Sequence, residues 1–155
     1  MNMKISRRRS IEIIGFACIF PAASHSQQAD VWSAERAFEA IKNDELLLID
    51  VRSRGEWNET GVAEGAWPIS IHEPNFPQRL FKAKELAGDR QVGLICSAGG
   101  RSGSVMRAVR KAGYEGFVDV SEGMMGSKLG RGWIAKGLPL NSATEALSLL
   151  PNALR

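Results

Sequence analysis

Cys96 opens the run Cys96-Ser97-Ala98-Gly99-Gly100-Arg101-Ser102, which brings together a thiol, a glycine pair, a guanidinium and hydroxyls. Glycines at 99 and 100 have no Cβ to stop the chain from curling, so backbone N–H groups can turn inward around the sulfur. An apolar run, Val92-Gly93-Leu94-Ile95, leads into the cysteine, and a helical pattern follows it. The thiol therefore stands at the C-terminal end of a strand, where open α/β sheets place their ligands, and faces a helix N-terminus. Inward N–H groups and a helix N-terminus form an anion cradle, which would stabilise a thiolate at its centre and an oxyanion above it. Arg101 adds a full positive charge. The chemistry expected is nucleophilic attack by Cys96, although a lone cysteine with no such setting is more often a buried, inert thiol.

Other polar residues carry weaker signals. Asp50, at the end of the run Leu46-Leu47-Leu48-Ile49-Asp50-Val51, has two readings: a strand-end carboxylate that caps loop N–H groups, or a partner for Arg101. The structural role is preferred. Arg52 and Arg54 are expected near the mouth, with solvated surface as their default. His72 lies in a Pro-rich segment with no acidic partner in obvious register and is read as a surface histidine. Glu56, Trp57 and Trp133 are expected to pack beneath the loops. No Cys/His cluster suggests a metal, and no cofactor is expected.

The elements that must position Cys96 alternate in type. Ser33 is a plausible N-cap for a helix to about Lys42, with Ala34, Ala37, Phe38 and Ile41 at helical spacing. The run from Leu46 to Val51 reads as a strand buried on both faces. Gly55, Gly61, Gly65 and Pro68 punctuate a loop-rich stretch with a brief strand at Ala66 to Ser70. A helix is expected from Gln78 to Ala87, ended by Gly88, and another from Ser104 to Lys111, ended by Gly113. Phe117 to Val120 makes a last strand, and the tail after Leu140 has no clear placement. This alternation argues an α/β fold with a mainly parallel sheet.

The first residues differ in kind. Lys4, Arg7, Arg8 and Arg9 precede an apolar run from Ile11 to Phe20, and small residues follow at Ala22, Ala23, Ser24 and Ser26. That order describes a secretory signal peptide. Residues 1–26 are expected to be removed, leaving one domain over residues 27–155, with its core at about 31–140. Ser6-Arg7-Arg8-Arg9-Ser10-Ile11 partly matches a twin-arginine signal, and Gly15-Phe16-Ala17 before Cys18 is a poor lipobox. The expected location is the periplasm, with no membrane association after cleavage. The leader carries four basic groups and one acidic group, so the remainder has 16 of each. The pI of 9.1 therefore gives no support for nucleic-acid binding. Cys18 leaves with the leader, and Cys96 becomes the only cysteine in the mature chain.

Cys96 to Ser102 resembles the C-x-x-G-x-R-S loop of single-domain rhodaneses. Leu48-Ile49-Asp50-Val51-Arg52 with Glu56-Trp57 resembles that family's L-I-D-V-R segment, and Gly65-Ala66 with Ile69 its next strand. Ala112-Gly113-Tyr114, Glu122-Gly123-Met124, Trp133 and Gly137-Leu138-Pro139 follow in the family's order, so the resemblance spans about Val31 to Leu140. It implies a three-layer fold, a central mainly parallel sheet flanked by helices. It also implies a thiosulfate:cyanide or thiosulfate:thiol sulfurtransferase that works through a Cys96 persulfide. Cys96 and Arg101 would be catalytic, and Ser97, Ala98, Gly99, Gly100 and Ser102 would bind substrate. Asp50 and Arg52 would support the loop, with Asp50 a candidate ion-pair partner for Arg101. The implied partners are a small sulfur donor, a thiol or cyanide acceptor, and a candidate protein acceptor. Uncharged Ser97 and Ala98 predict low affinity for dianionic thiosulfate and leave another donor open. A sulfur-carrying or binding module without rapid turnover is the alternative. A cysteine phosphatase is disfavoured, because its C-x5-R loop is one residue longer than the spacing from Cys96 to Arg101.

Overall fold

The computed structural model describes residues 30–155; the expected leader, its twin-arginine motif and Cys18 lie outside the described residues. Leu46, Leu47, Leu48, Ile49 and Asp50 form β1 (Leu46–Asp50), buried throughout. It pairs in parallel with β4 (Gln91–Ile95) on one side and with β3 (Trp67–Pro68) on the other. β5 (Phe117–Asp119) adds to β4, again in parallel, giving the order β3-β1-β4-β5. Successive side chains on a strand point to opposite faces. Leu46, Leu48 and Ile95 accordingly join one apolar cluster, and Leu47, Ile49, Val92 and Leu94 join the other.

Helices cover both faces. α1 (Ala34–Lys42) is capped by the Ser33 side chain, which accepts the Arg36 N–H. It packs with Trp57, Trp133 and α6 (Ala143–Ser148) over the first cluster. α3 (Phe76–Ala87) and α4 (Gly100–Lys111) cover the second with Leu80, Ala83, Val105 and Val109. The expected α/β layers with a parallel sheet are present.

Several boundaries differ from expectation, and several short elements were missed. Residues 54–60, read as loop, form α2 (Arg54–Thr60), because Ser53 and Glu56 close a reciprocal capping box; such a box satisfies the N–H groups a helix start leaves orphaned. α3 begins at Phe76 rather than Gln78, since Pro77 is well suited to a helix's first turn. α4 begins at Gly100, not Ser104, with Gly99 as its N-cap in the left-handed region at φ 83°. The strand expected over Ala66 to Ser70 is only Trp67–Pro68. The tail turns back through β6 (Leu140–Asn141), which pairs antiparallel with β2 (Val62–Ala63), before α6. A short helix, α5 (Gly132–Ala135), precedes β6 and carries Trp133 into the core.

Candidate active site

β4 delivers Cys96 to the C-terminal end of the sheet, and α4 starts four residues later. The thiol is 1% exposed yet lines an open cavity of about 670 Å³ with Ile71, His72, Ser97, Ala98 and Arg101. Its Sγ lies 3.5 Å from the buried Ser102 Oγ, a contact in which either group can donate. Ser102 also donates to the Gly99 carbonyl at 3.3 Å. Among the described residues, the backbone N–H groups from Ser97 to Ser102 have no acceptor elsewhere in the chain. The carbonyls of Cys96 and Ser97 do have partners. Met124 N–H donates to the Cys96 carbonyl at 2.8 Å, and Met125 N–H to the Ser97 carbonyl at 2.9 Å.

That second segment explains why glycine is needed. A Cβ on Gly99 would come within 2.5 Å of the Ser121 carbonyl oxygen, and one on Gly123 (φ 71°) within 2.3 Å of the Ser97 carbonyl oxygen. Both contacts are far below van der Waals distance. Residues 121–125 are therefore laid directly against the loop and hold its carbonyls outward, which leaves its N–H groups for a ligand. Gly100 is different: nothing lies within 4 Å of its would-be Cβ.

Arg101 projects from the first turn of α4. Its two terminal nitrogens donate to Glu56 at 2.7 and 2.6 Å. The Arg101–Asp50 pairing considered from sequence does not form. Asp50 is instead bound to Arg52, which donates Nε at 3.0 Å to Oδ1 and Nη2 at 2.8 Å to Oδ2. The expectation of Arg52 as solvated surface at the mouth is also corrected, since it is 1% exposed. Its other donors reach the Gly61 carbonyl at 2.7 Å and the Thr60 hydroxyl at 2.8 Å. A cation there meets the orphan carbonyls and the negative dipole end of α2. Asp50 also accepts the Arg52 backbone N–H, so its strand-end capping reading holds. Arg54 is solvated and pairs with Glu73.

Glu56 was expected to pack under the loops; only Trp57 and Trp133 do so, at 1% and 0% exposed. Glu56 is instead the link between α2 and α4. Its carboxylate accepts the Ser53 N–H within the capping box while it holds Arg101. The hydrogen bond from Arg101 drives its pKa down to about 2, against the cost of partial burial, with the Ser53 bonds adding to the effect. Glu56 in turn holds the Arg101 guanidinium more firmly charged; the Cys96 thiol and Asp50 add smaller pulls in the same direction. The signal for this role was Ser53-x-x-Glu56 itself, a capping-box pattern.

Among the described residues, no group of three or more His, Cys, Asp or Glu stands where it could hold a metal ion, and no helix is long and apolar enough to cross a membrane.

The model of the rhodanese-like domain family matches residues 33–128. A protein of Rickettsia rickettsii is 26% identical over 113 aligned positions, covering 64% of this chain and 85% of its own length. A rhodanese-related protein of Thermoplasma volcanium has a similar structure, with a TM-score of 0.52 at 26% identity, covering 72% of this chain and 96% of that one. The polysulfide-sulfur transferase homodimer of Wolinella succinogenes gives a TM-score of 0.53 at 21% identity, covering 75% and 82%. At that identity the likeness is one of fold.

Proposed function

This chain belongs to the rhodanese-like domain family, and from that premise we propose that it is an exported sulfurtransferase working through a persulfide on Cys96. The observation that carries the reading is the ring of unsatisfied N–H groups from Ser97 to Ser102 around a cysteine that floors an open cavity. A site of that kind suits a sulfur nucleophile and the anions it handles. The Cys96 thiolate attacks the sulfane sulfur of a donor such as thiosulfate. A Cys96–S bond forms as the S–S bond of the donor breaks, and sulfite leaves with the electron pair. An acceptor, cyanide or a thiolate, then attacks the outer sulfur of the persulfide and restores the Cys96 thiolate. Ser102 can accept from the thiol in one state and donate to the thiolate in the other.

Arg101 is a positioning residue in this account. Its charge is matched by Glu56, so it fixes the start of α4 and offers little net attraction to a dianion. That neutralisation favours a slow reaction with thiosulfate, and a polysulfide, the substrate class named for the Wolinella protein, is a second candidate donor. It also keeps open a carrier that delivers its sulfur to a partner protein. The order of basic, apolar and small residues over 1–26 supports export to the periplasm.

The reading is tested by turnover with thiosulfate and cyanide beside a phosphomonoester. Thiocyanate formation that disappears in Cys96→Ser is expected. Hydrolysis of the ester without thiocyanate would replace sulfur transfer with phosphatase chemistry.

A further inference from the structure

One wall of the cavity above Cys96 carries an ionisable side chain that joins no ion pair among the described residues. His72 lines it, exposed, opposite no carboxylate that it bonds. Among the described residues the imidazole makes no hydrogen bond, while the backbone that carries it is fixed. Ile71 N–H donates to the Val51 carbonyl at 3.1 Å, and His72 N–H donates to the Ser70 hydroxyl at 3.2 Å. Ser70 is itself 3% exposed. Two hydrogen bonds from backbone N–H groups thus hold the turn that carries His72 beside the pocket.

The other charged groups around it are accounted for. From α4 comes Arg101, paired with Glu56 of α2. From its own segment comes Glu73, paired with Arg54 and Arg79. From the loop comes Cys96, the reacting group. Apart from that thiol, His72 is the ionisable side chain of the lining that stands outside the ion pairs among the described residues.

We propose that His72 is the donor-recognising side chain of the Cys96 pocket, which holds the anionic end of a small sulfane-sulfur donor. The inference rests on the sulfur-transfer reading of the site and deepens it, because it names an anion, not a neutral disulfide, as the preferred donor. One charge near an anion in a solvated cleft is worth about fivefold in affinity or more.

The test compares the parent with His72→Gln, a neutral side chain, and His72→Lys, a cationic one. KM for thiosulfate should be about fivefold higher in His72→Gln than in His72→Lys, with the parent below His72→Gln and kcat changed less than about twofold across the three. A His72→Gln protein whose KM equals that of the parent and of His72→Lys overturns the proposal.

A second measurement separates this from the reading it rests on. The ratio of Cys96 alkylation rates with iodoacetate and with iodoacetamide reports the charge of the pocket, since the thiolate fraction cancels. The ratio should be lower in His72→Gln than in the parent and in His72→Lys. If it does so while no donor loads Cys96, His72 is confirmed as the anion-holding group and the sulfur-transfer reading fails. Loading of Cys96 with a ratio insensitive to His72 overturns the His72 proposal alone.

Discussion

Glu56 clamps Arg101 through two hydrogen bonds of 2.6 and 2.7 Å while its own carboxylate closes the capping box at the start of α2. One side chain thereby ties the helix after β1 to the helix after β4, whose Arg101 lines the cavity over Cys96. The pair is partly exposed, each side chain at 30%, so its value is geometric as much as energetic.

Glu56→Gln should lower stability at neutral pH by about 1–2 kcal/mol, after allowance for screening by water. The sign of the pH effect is fixed by the depressed pKa. The folded carboxylate titrates at about 2, below its value in the unfolded chain. Its contribution is therefore complete above about pH 4.5 and is lost as pH falls towards 2. Urea unfolding between about pH 2 and 7 should show the parent and Glu56→Gln converging in that acid window.

Asp50→Asn should be far more damaging. It leaves the Arg52 guanidinium, 1% exposed, without its counter-charge, and removing one partner of a buried pair costs about 3–5 kcal/mol. Thermal unfolding should show a much lower Tm for Asp50→Asn than for Glu56→Gln.

Gly99→Ala and Gly123→Ala should each destabilise the protein by about 2–4 kcal/mol and abolish loading of Cys96. Both place a methyl group against a backbone carbonyl in a left-handed conformation. Gly100→Ala is the control: it has space around it and should be stable within about 0.5 kcal/mol. Equal losses at all three positions, measured by chemical unfolding, would contradict the buttress formed by residues 121–125.

Ser102→Ala should slow alkylation of Cys96 by iodoacetamide about tenfold, since a hydrogen bond to a charged group contributes roughly 1.5–3 kcal/mol. Its effect on stability should be small by comparison. Reaction at the parent rate would remove Ser102 from the thiolate's environment.

The sheet was legible because β1 and β4 are buried on both faces, and a run such as Leu46-Leu47-Leu48-Ile49 has no other comfortable setting. The position of Cys96 followed from β4, and the loop's curvature from Gly99. α2 escaped notice for physical reasons. It has seven residues and one buried side chain, Trp57, too little for an apolar period, and only its capping box announces it. The partner of Arg101 was not legible either. Asp50 and Glu56 both precede the loop in sequence, and the contest was decided by Arg52, whose side chain folds back onto Asp50 while reaching the end of α2. His72 read as surface, and it is exposed; only the fold shows that the surface it occupies is the wall of the Cys96 cavity.

Intact-protein mass spectrometry of the chain before and after incubation with thiosulfate or with polysulfide tests the Cys96 persulfide itself. A gain of one sulfur atom is expected, mapped to Cys96, absent in Cys96→Ser and removed by cyanide. A parent protein that is folded, has a free Cys96 thiol and gains no sulfur from either donor would contradict it.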